Sequence, residues 1–204
     1  QGVVGVAPKS QLYFAKAIDD SGTGSPSAMT NAIYWAIDEK VDLISISAGL
    51  FFDFKPLHDA VIKAHQNNIT VIAAAGNTAS QYSNVAFPAR YAEVIGVAAY
   101  DQNHKVAAFS SRGVNVFCAM PGVDIYTTFL NNGYAKLSGS SFSCPIMTGV
   151  CALVLSKHRS SPDSTPCDTP AQLMEHLRKY SIKLQDDPTA VGFGTVDTLA
   201  MFKE

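Results

Sequence analysis

A chain of 204 residues, 47% hydrophobic and 16% charged, has the balance of one globular domain with a sizeable core rather than of a disordered or fibrous protein. Its net charge of −2 leaves no electrostatic footprint for nucleic acid or an anionic membrane, and no apolar run approaches the roughly 20 residues of a spanning helix. Gln1-Gly2-Val3-Val4 has neither the basic start nor the apolar core of a signal peptide. The cysteines are Cys118, Cys144, Cys151 and Cys167. They contain no C-x-x-C pair, which argues against a zinc knuckle. Cys144 and Cys151 share one predicted helix about 10 Å apart along its axis, too far to pair. All four read as small buried thiols. That usage points toward a reducing, intracellular compartment without assigning one.

Taken in order, Val3 to Pro8 is short and apolar, and Gln11 to Ile18 alternates in strand formers and predicts a strand. Asp19 to Pro26 is a loop. Met29, Ala32, Ile33, Ala36 and Ile37 recur at helical spacing, and Leu43 to Ser47 predicts a buried strand closed by Ala48-Gly49. Leu57, Ala60, Val61 and Ala64 give a second helix, with His58 and His65 near its polar side. Thr70 to Ala75 is a strand running into Gly76-Asn77. Glu93 to Tyr100 and Val114 to Ala119 follow as strands, and Tyr134 to Ser138 as an edge strand. Asn68-Ile69-Thr70 matches a glycosylation sequon by chance at a strand start. The run Gly139-Ser140-Ser141-Phe142-Ser143-Cys144-Pro145 then delivers hydroxyls to the start of an apolar helix through Val150 to Leu155. Pro145 lies early in that helix, where a missing N–H costs least, and Lys157 and His158 suit its far end. Ser160 to Asp168 is a loop. Thr169-Pro170-Ala171-Gln172 is a capping box opening a last helix along Leu173, Met174, Leu177 and Tyr180. The alternation predicts an α/β fold, a parallel sheet with helices on both faces, whose sites lie outside the carboxyl ends of its strands.

Two positions carry chemistry. Ser141 at a helix start reads by itself as an N-cap, and Gly76-Asn77 by itself as a turn pair. Acyl transfer needs a nucleophile and a donor fixed where the oxyanion develops, and a rigid strand-end amide supplies the second. An α/β-hydrolase elbow is excluded because Gly139-Ser140-Ser141-Phe142-Ser143 lacks its second glycine. A dinucleotide fingerprint fails after Gly22-Thr23-Gly24, and neither H-E-x-x-H nor an EF-hand loop occurs.

The segment Gly139 to Gly149 resembles the serine block of the subtilisin-like serine proteases, Gly-Thr-Ser-Met-Ala-x-Pro before a small-residue helix. Ala73-Ala74-Ala75-Gly76-Asn77 resembles that family's oxyanion block. Gly5-Val6-Ala7-Pro8, Phe87-Pro88-Ala89-Arg90-Tyr91, Phe109-Ser110-Ser111-Arg112-Gly113 and Pro121-Gly122 resemble further blocks, in the family's order. The resemblance implies a subtilisin-like three-layer fold and a serine endopeptidase. Ser141 would be the nucleophile and Asn77 the side-chain oxyanion donor. Gly22, Thr23, Gly24, Ser47, Ala48 and Gly49 would bind the backbone of a protein or peptide substrate as an added strand. Ala74, Gly76 and Ala86 would shape the main specificity pocket.

The resemblance also implies an aspartate and a histidine, and the family carries both in blocks preceding Gly-Val-Ala-Pro. Neither block occurs here, and each of the five histidines reads as a solvated surface group. Residues 1–204 are therefore expected to be one portion of a catalytic domain, incomplete at its N-terminal side and inactive alone. Exposed apolar surface should pair with a complementary N-terminal fragment or drive self-association. A pseudoprotease that keeps the fold for binding or regulation is the alternative. No cofactor is implied for the chemistry. A structural calcium ion in the intact domain is implied weakly, through the carbonyls of Ala89, Tyr91 and Val94, because Phe117 stands where a carboxylate would assist.

Overall fold

The computed structural model describes residues 2–79, 84–161 and 166–203. Gln1 and the parts of the predicted 77–88 pocket wall and 160–168 loop at 80–83 and 162–165 lie outside them. Four parallel strands form the sheet: β1 (Leu43–Ile46), β2 (Thr70–Ala74), β3 (Val94–Tyr100) and β4 (Cys118–Pro121), in the order β1-β2-β3-β4. The register pairs Ile44 with Val71, Ile72 with Ile95 and Val97 with Cys118. β2 and β3 are buried along their whole length, which is why they read as continuous apolar runs rather than alternating ones.

Successive side chains on a strand point to opposite faces, and here each face has its own core. On one side α1 (Pro26–Asp38) and α2 (Lys55–Gln66) bring Ile33, Leu57 and Val61 against Val71, Ala73, Val94 and Ala98. On the other, α3 (Ser140–Ser160) and α4 (Pro170–Lys179) bring Met147, Val150, Val154, Leu173 and Leu177 against Ile72, Ile95 and Val97. The three-layer α/β architecture is the one expected. The predicted capping box is present, Gln172 N–H donating to Thr169 Oγ1 at 3.3 Å and Thr169 N–H to Gln172 Oε1 at 3.1 Å.

Four expectations need correction. Gln11 to Ile18 forms no strand: its one ladder contact among the described residues is an isolated bridge from Ile18 to Gly24, and Leu12 and Phe14 are 71% and 85% exposed. Strand propensity is realised only against a partner, and among the described residues β1 is hydrogen-bonded on its β2 side alone. The strand placed at Val114 to Ala119 begins at Cys118, because a turn closed by Val116 N–H on Gly113 C=O takes up its first half. An antiparallel hairpin precedes α3, with β5 (Ile125–Phe129) pairing β6 (Gly133–Leu137). Only its second strand was anticipated. Asn131 and Asn132, both at left-handed φ, are the turn signal that β5 carried. Finally, α4 is not the last helix. The short pair β7 (Ser181–Ile182) and β8 (Thr195–Val196) and the helices α5 (Pro188–Val191) and α6 (Thr198–Lys203) follow, each too brief for periodicity to show.

Candidate active site

The carboxyl ends of β1 and β2 run into 47–49 and 76–77, and the first turn of α3 meets them there. Ser140, fully buried, is the hub. Its backbone N–H and its Oγ both donate to Asn77 Oδ1 at 2.9 Å, while Gly76 N–H donates to Ser140 Oγ at 3.1 Å. With the amide oxygen doubly occupied, the orientation of the Asn77 side chain is set by the network, and Nδ2 is left to donate outward. A Cβ on Gly139 would fall 3.1 Å from that Nδ2, so the residue there must be small for the amide to sit where it does.

Ser141 follows, half-buried at the second position of α3. Its N–H is one of the first-turn donors that no helical carbonyl can accept. Its Oγ makes one long hydrogen bond, 3.5 Å to the Ser47 carbonyl, and the Ser47 Oγ donates back to the Ser141 carbonyl at 2.9 Å. A half-buried hydroxyl, a backbone N–H and a locked amide donor thus stand together at the mouth of the sheet.

Ser47, Ala48 and Gly49 lie on one side of this cleft. A Cβ at Gly49 would come 2.8 Å from the Cβ of Ala86, so glycine is what holds the slot open. Leu50 and Phe87 exchange two 2.8 Å backbone bonds, and Ala86 N–H donates to Ala75 C=O at 2.9 Å, tying this wall to the end of β2. A Cβ at Gly76 would fall 3.6 Å from the same Ala86 Cβ. Ala74 sits one step deeper, with its side chain in the core between the sheet and α3. Gly22, Thr23 and Gly24 form a separate exposed loop. Asp19 braces it, its Oδ1 accepting from Ser21 Oγ at 2.6 Å, Ser21 N–H at 2.9 Å and Thr23 N–H at 3.0 Å. The Ser21 side chain and then the Thr23 amide hold the Asp19 carboxyl below its ordinary range. Ser140 and Asp19 were missed by sequence reading. The spacing of Asp19 to Ser21 and Thr23 is that of an Asx-turn and could have flagged the second.

The pocket wall is braced from behind. Tyr91 OH donates to Asp53 Oδ1 at 2.8 Å, and the His58 ring stacks on Tyr91 at 3.9 Å with its Nε2 3.2 Å from Glu93 Oε2. Burial first, and then the Asp53 hydrogen bond, push the Tyr91 phenol well up. His58 is therefore not the solvated group expected, nor is His158, which bonds Asp168 at 3.0 Å, nor His65, whose Nδ1 is buried. His104 packs edge-on against Tyr100 and His176 lies against Tyr180. Among the described residues, the hydrogen bonds of Ser141 include none to an imidazole. His158, on the same helix, is about 25 Å further along it at 1.5 Å per residue.

At the implied calcium position the structure shows backbone and aromatic contacts. The Tyr91 carbonyl accepts from Val94 N–H at 3.1 Å. Phe117 is buried against Phe193 at 5.4 Å with the Arg178 guanidinium 5.3 Å over its ring. Among the described residues no three His, Cys, Asp or Glu side chains gather for a metal ion.

The model of the subtilase family matches residues 1–194. The chain belongs to this family of serine proteases. It is 42% identical over 159 residues to subtilisin DY of Bacillus licheniformis, an alignment covering 77% of this chain and 58% of that protein. It is 41% identical over 195 residues to a thermostable alkaline protease of Halalkalibacterium halodurans, covering 96% of this chain and 51% of that one. Among solved structures, the prenylagaramide maturation protease PagA superposes with a TM-score of 0.80 at 28% identity, over 91% of this chain and 69% of its own. A mutant of the protease domain of PatA gives 0.76 at 27%, over 86% and 64%. The subtilase chain described here thus spans about half the length of the curated relatives it matches.

Proposed function

We propose that this subtilase chain carries the nucleophile and the oxyanion hole of a subtilisin-like serine endopeptidase. The observation that supports this most is the Asn77 amide, locked through its oxygen by Ser140 beside the half-buried Ser141 hydroxyl. A helix N-cap needs no such arrangement. In this reading a substrate peptide lies in extended form between Gly22–Gly24 and Ser47–Gly49, and its side chain enters the slot at Gly49, Gly76 and Ala86. Ser141 Oγ attacks the scissile carbonyl carbon as a base takes the hydroxyl proton. The oxyanion that forms is met by Asn77 Nδ2 and the Ser141 N–H. The same proton passes to the departing amine, and water then releases the acyl group by the reverse sequence.

The base and the aspartate that orients it come, on this proposal, from a complementary segment docking against the free edge of β1 and the exposed 11–17 stretch. The 204 residues alone turn over no peptide. The hydrogen bonds of Ser141, which among the described residues run to Ser47 and not to an imidazole, favour a second reading, a non-catalytic module that keeps the fold for binding. A fluorophosphonate probe separates the two. Labelling of Ser141 only after adding a polypeptide that carries the Asp and His blocks of a relative supports the protease. Labelling without that addition overturns the dormancy, and no labelling after verified reassembly leaves the binding module.

A further inference from the structure

We propose that the Ser47 side chain is a positioning residue for Ser141, supplying the hydrogen bond that Pro145 removes from α3. The inference rests on the reading of Ser141 as nucleophile. In an α-helix the carbonyl of one residue accepts from the N–H four positions on. For Ser141 that position is Pro145, which has no N–H. Contrary to the early position expected from the sequence, it lies inside α3 as its sixth residue because the helix already begins at Ser140, deeper than the first-turn site where proline costs nothing. The Ser141 carbonyl is therefore without its helical donor, in the turn that presents the hydroxyl. Ser47 Oγ fills the vacancy at 2.9 Å from the end of β1, 94 residues away in the chain.

The consequence is geometric. Ser140 is tied to Asn77 on the β2 side, and Ser141 is tied through its carbonyl to Ser47 on the β1 side. The residue before Ser141, through its N–H and Oγ, and the peptide group after it, through the Ser141 carbonyl, are both anchored to the sheet side. The course of the backbone through the Ser141 Cα, and with it the direction of the Cβ–Oγ bond, is therefore set by strand ends as well as by the helix. A second stitch, Thr148 Oγ1 to Ser45 Oγ at 3.1 Å, holds α3 to the same strand about two turns further on. In this role Ser47 acts through its hydroxyl, separately from any substrate contact made by its backbone.

The test is a cycle of Ser47→Ala, Ser47→Thr, Pro145→Ala and the double variant Ser47→Ala/Pro145→Ala. Each is read by the Ser141 carbonyl-carbon NMR shift in the chain itself and by fluorophosphonate labelling after reassembly. Ser47→Ala should move the carbonyl shift and slow labelling by about three- to tenfold, the worth of one ordinary hydrogen bond. Ser47→Thr should restore both. The double variant should recover as well, because residue 145 regains an N–H, a rescue that loss of a substrate contact would not show. An unchanged carbonyl shift in Ser47→Ala, or a double variant that labels as slowly as Ser47→Ala, overturns the proposal while wild-type labelling keeps the nucleophile reading intact. A wild type that never labels sinks that reading, and the role of Ser47 in reactivity with it.

Discussion

Asn77 serves the site with the half of its amide that Ser140 leaves free. Removing that half should therefore cost the transition state and spare the ground state. In the reassembled protein, Asn77→Ala is expected to lower kcat by about 100- to 1,000-fold with KM little changed, a size already known for this donor in a subtilisin. An equal rise in KM would argue against the oxyanion role. Ser140→Ala deletes the Oγ bonds to Asn77 and Gly76 but keeps the backbone bond. Its expected effect is smaller, about tenfold in kcat, again with KM held. Asp187 offers a pH reading at the same scale. The Thr189 amide and then the Thr189 hydroxyl hold its carboxyl below the ordinary value. A depressed folded-state pKa means that its contribution is complete at neutral pH and is lost as pH falls through the folded value. Its carboxyl-carbon NMR titration should have a midpoint below that of an aspartate in an unstructured peptide. A midpoint at or above that reference would remove Asp187 as the N-cap of α5.

At the scale of elements, α4 is the test of local rules. Its capping box is complete, so Thr169→Ala should cost about 1 kcal/mol, read as a lowered urea midpoint at constant slope. A change within error would mean that burial of Leu173 and Leu177 alone holds the helix. Where a pattern is carried within one element, the sequence was readable: α1 and α2 by their spacing, β2 and β3 by their unbroken apolar runs, α4 by its cap. Where pairing decides, it was not. Gln11 to Ile18 has a strand's composition and no strand beside it. β5 has modest alternation but pairs through a tight Asn-Asn turn. The site divides in the same way. Ser141 and Asn77 stand out because short blocks surround them. The grip of Ser140 on Asn77 and that of Ser47 on Ser141 join residues 63 and 94 apart, and no local window contains both ends.

For the whole molecule, the two sides of the sheet differ in what they leave exposed. All four cysteines are free and buried, and burial pushes the Cys118 thiol up to about 12. None should react with iodoacetamide at pH 8 in the native protein, and four should react in denaturant. Labelling of the native chain would show that the core on the α3 side opens readily. The edge of β1 presents backbone groups, and the exposed Leu12 and Phe14 present apolar ones. Sedimentation of the isolated chain is expected to depend on concentration, and Leu12→Lys with Phe14→Lys to suppress that dependence. A wild-type chain monomeric at all concentrations would contradict it.

The separation in sequence of the groups around Ser141 also sets a schedule. Ser47 and Asn77 are joined to the first turn of α3 only when that helix has settled on the finished sheet, and a chain emerging from the ribosome N-terminus first has made β1 to β6 by then. No earlier intermediate holds the hydroxyl beside its amide donor. Assembly of the site is thus a report that α3 has closed onto the sheet.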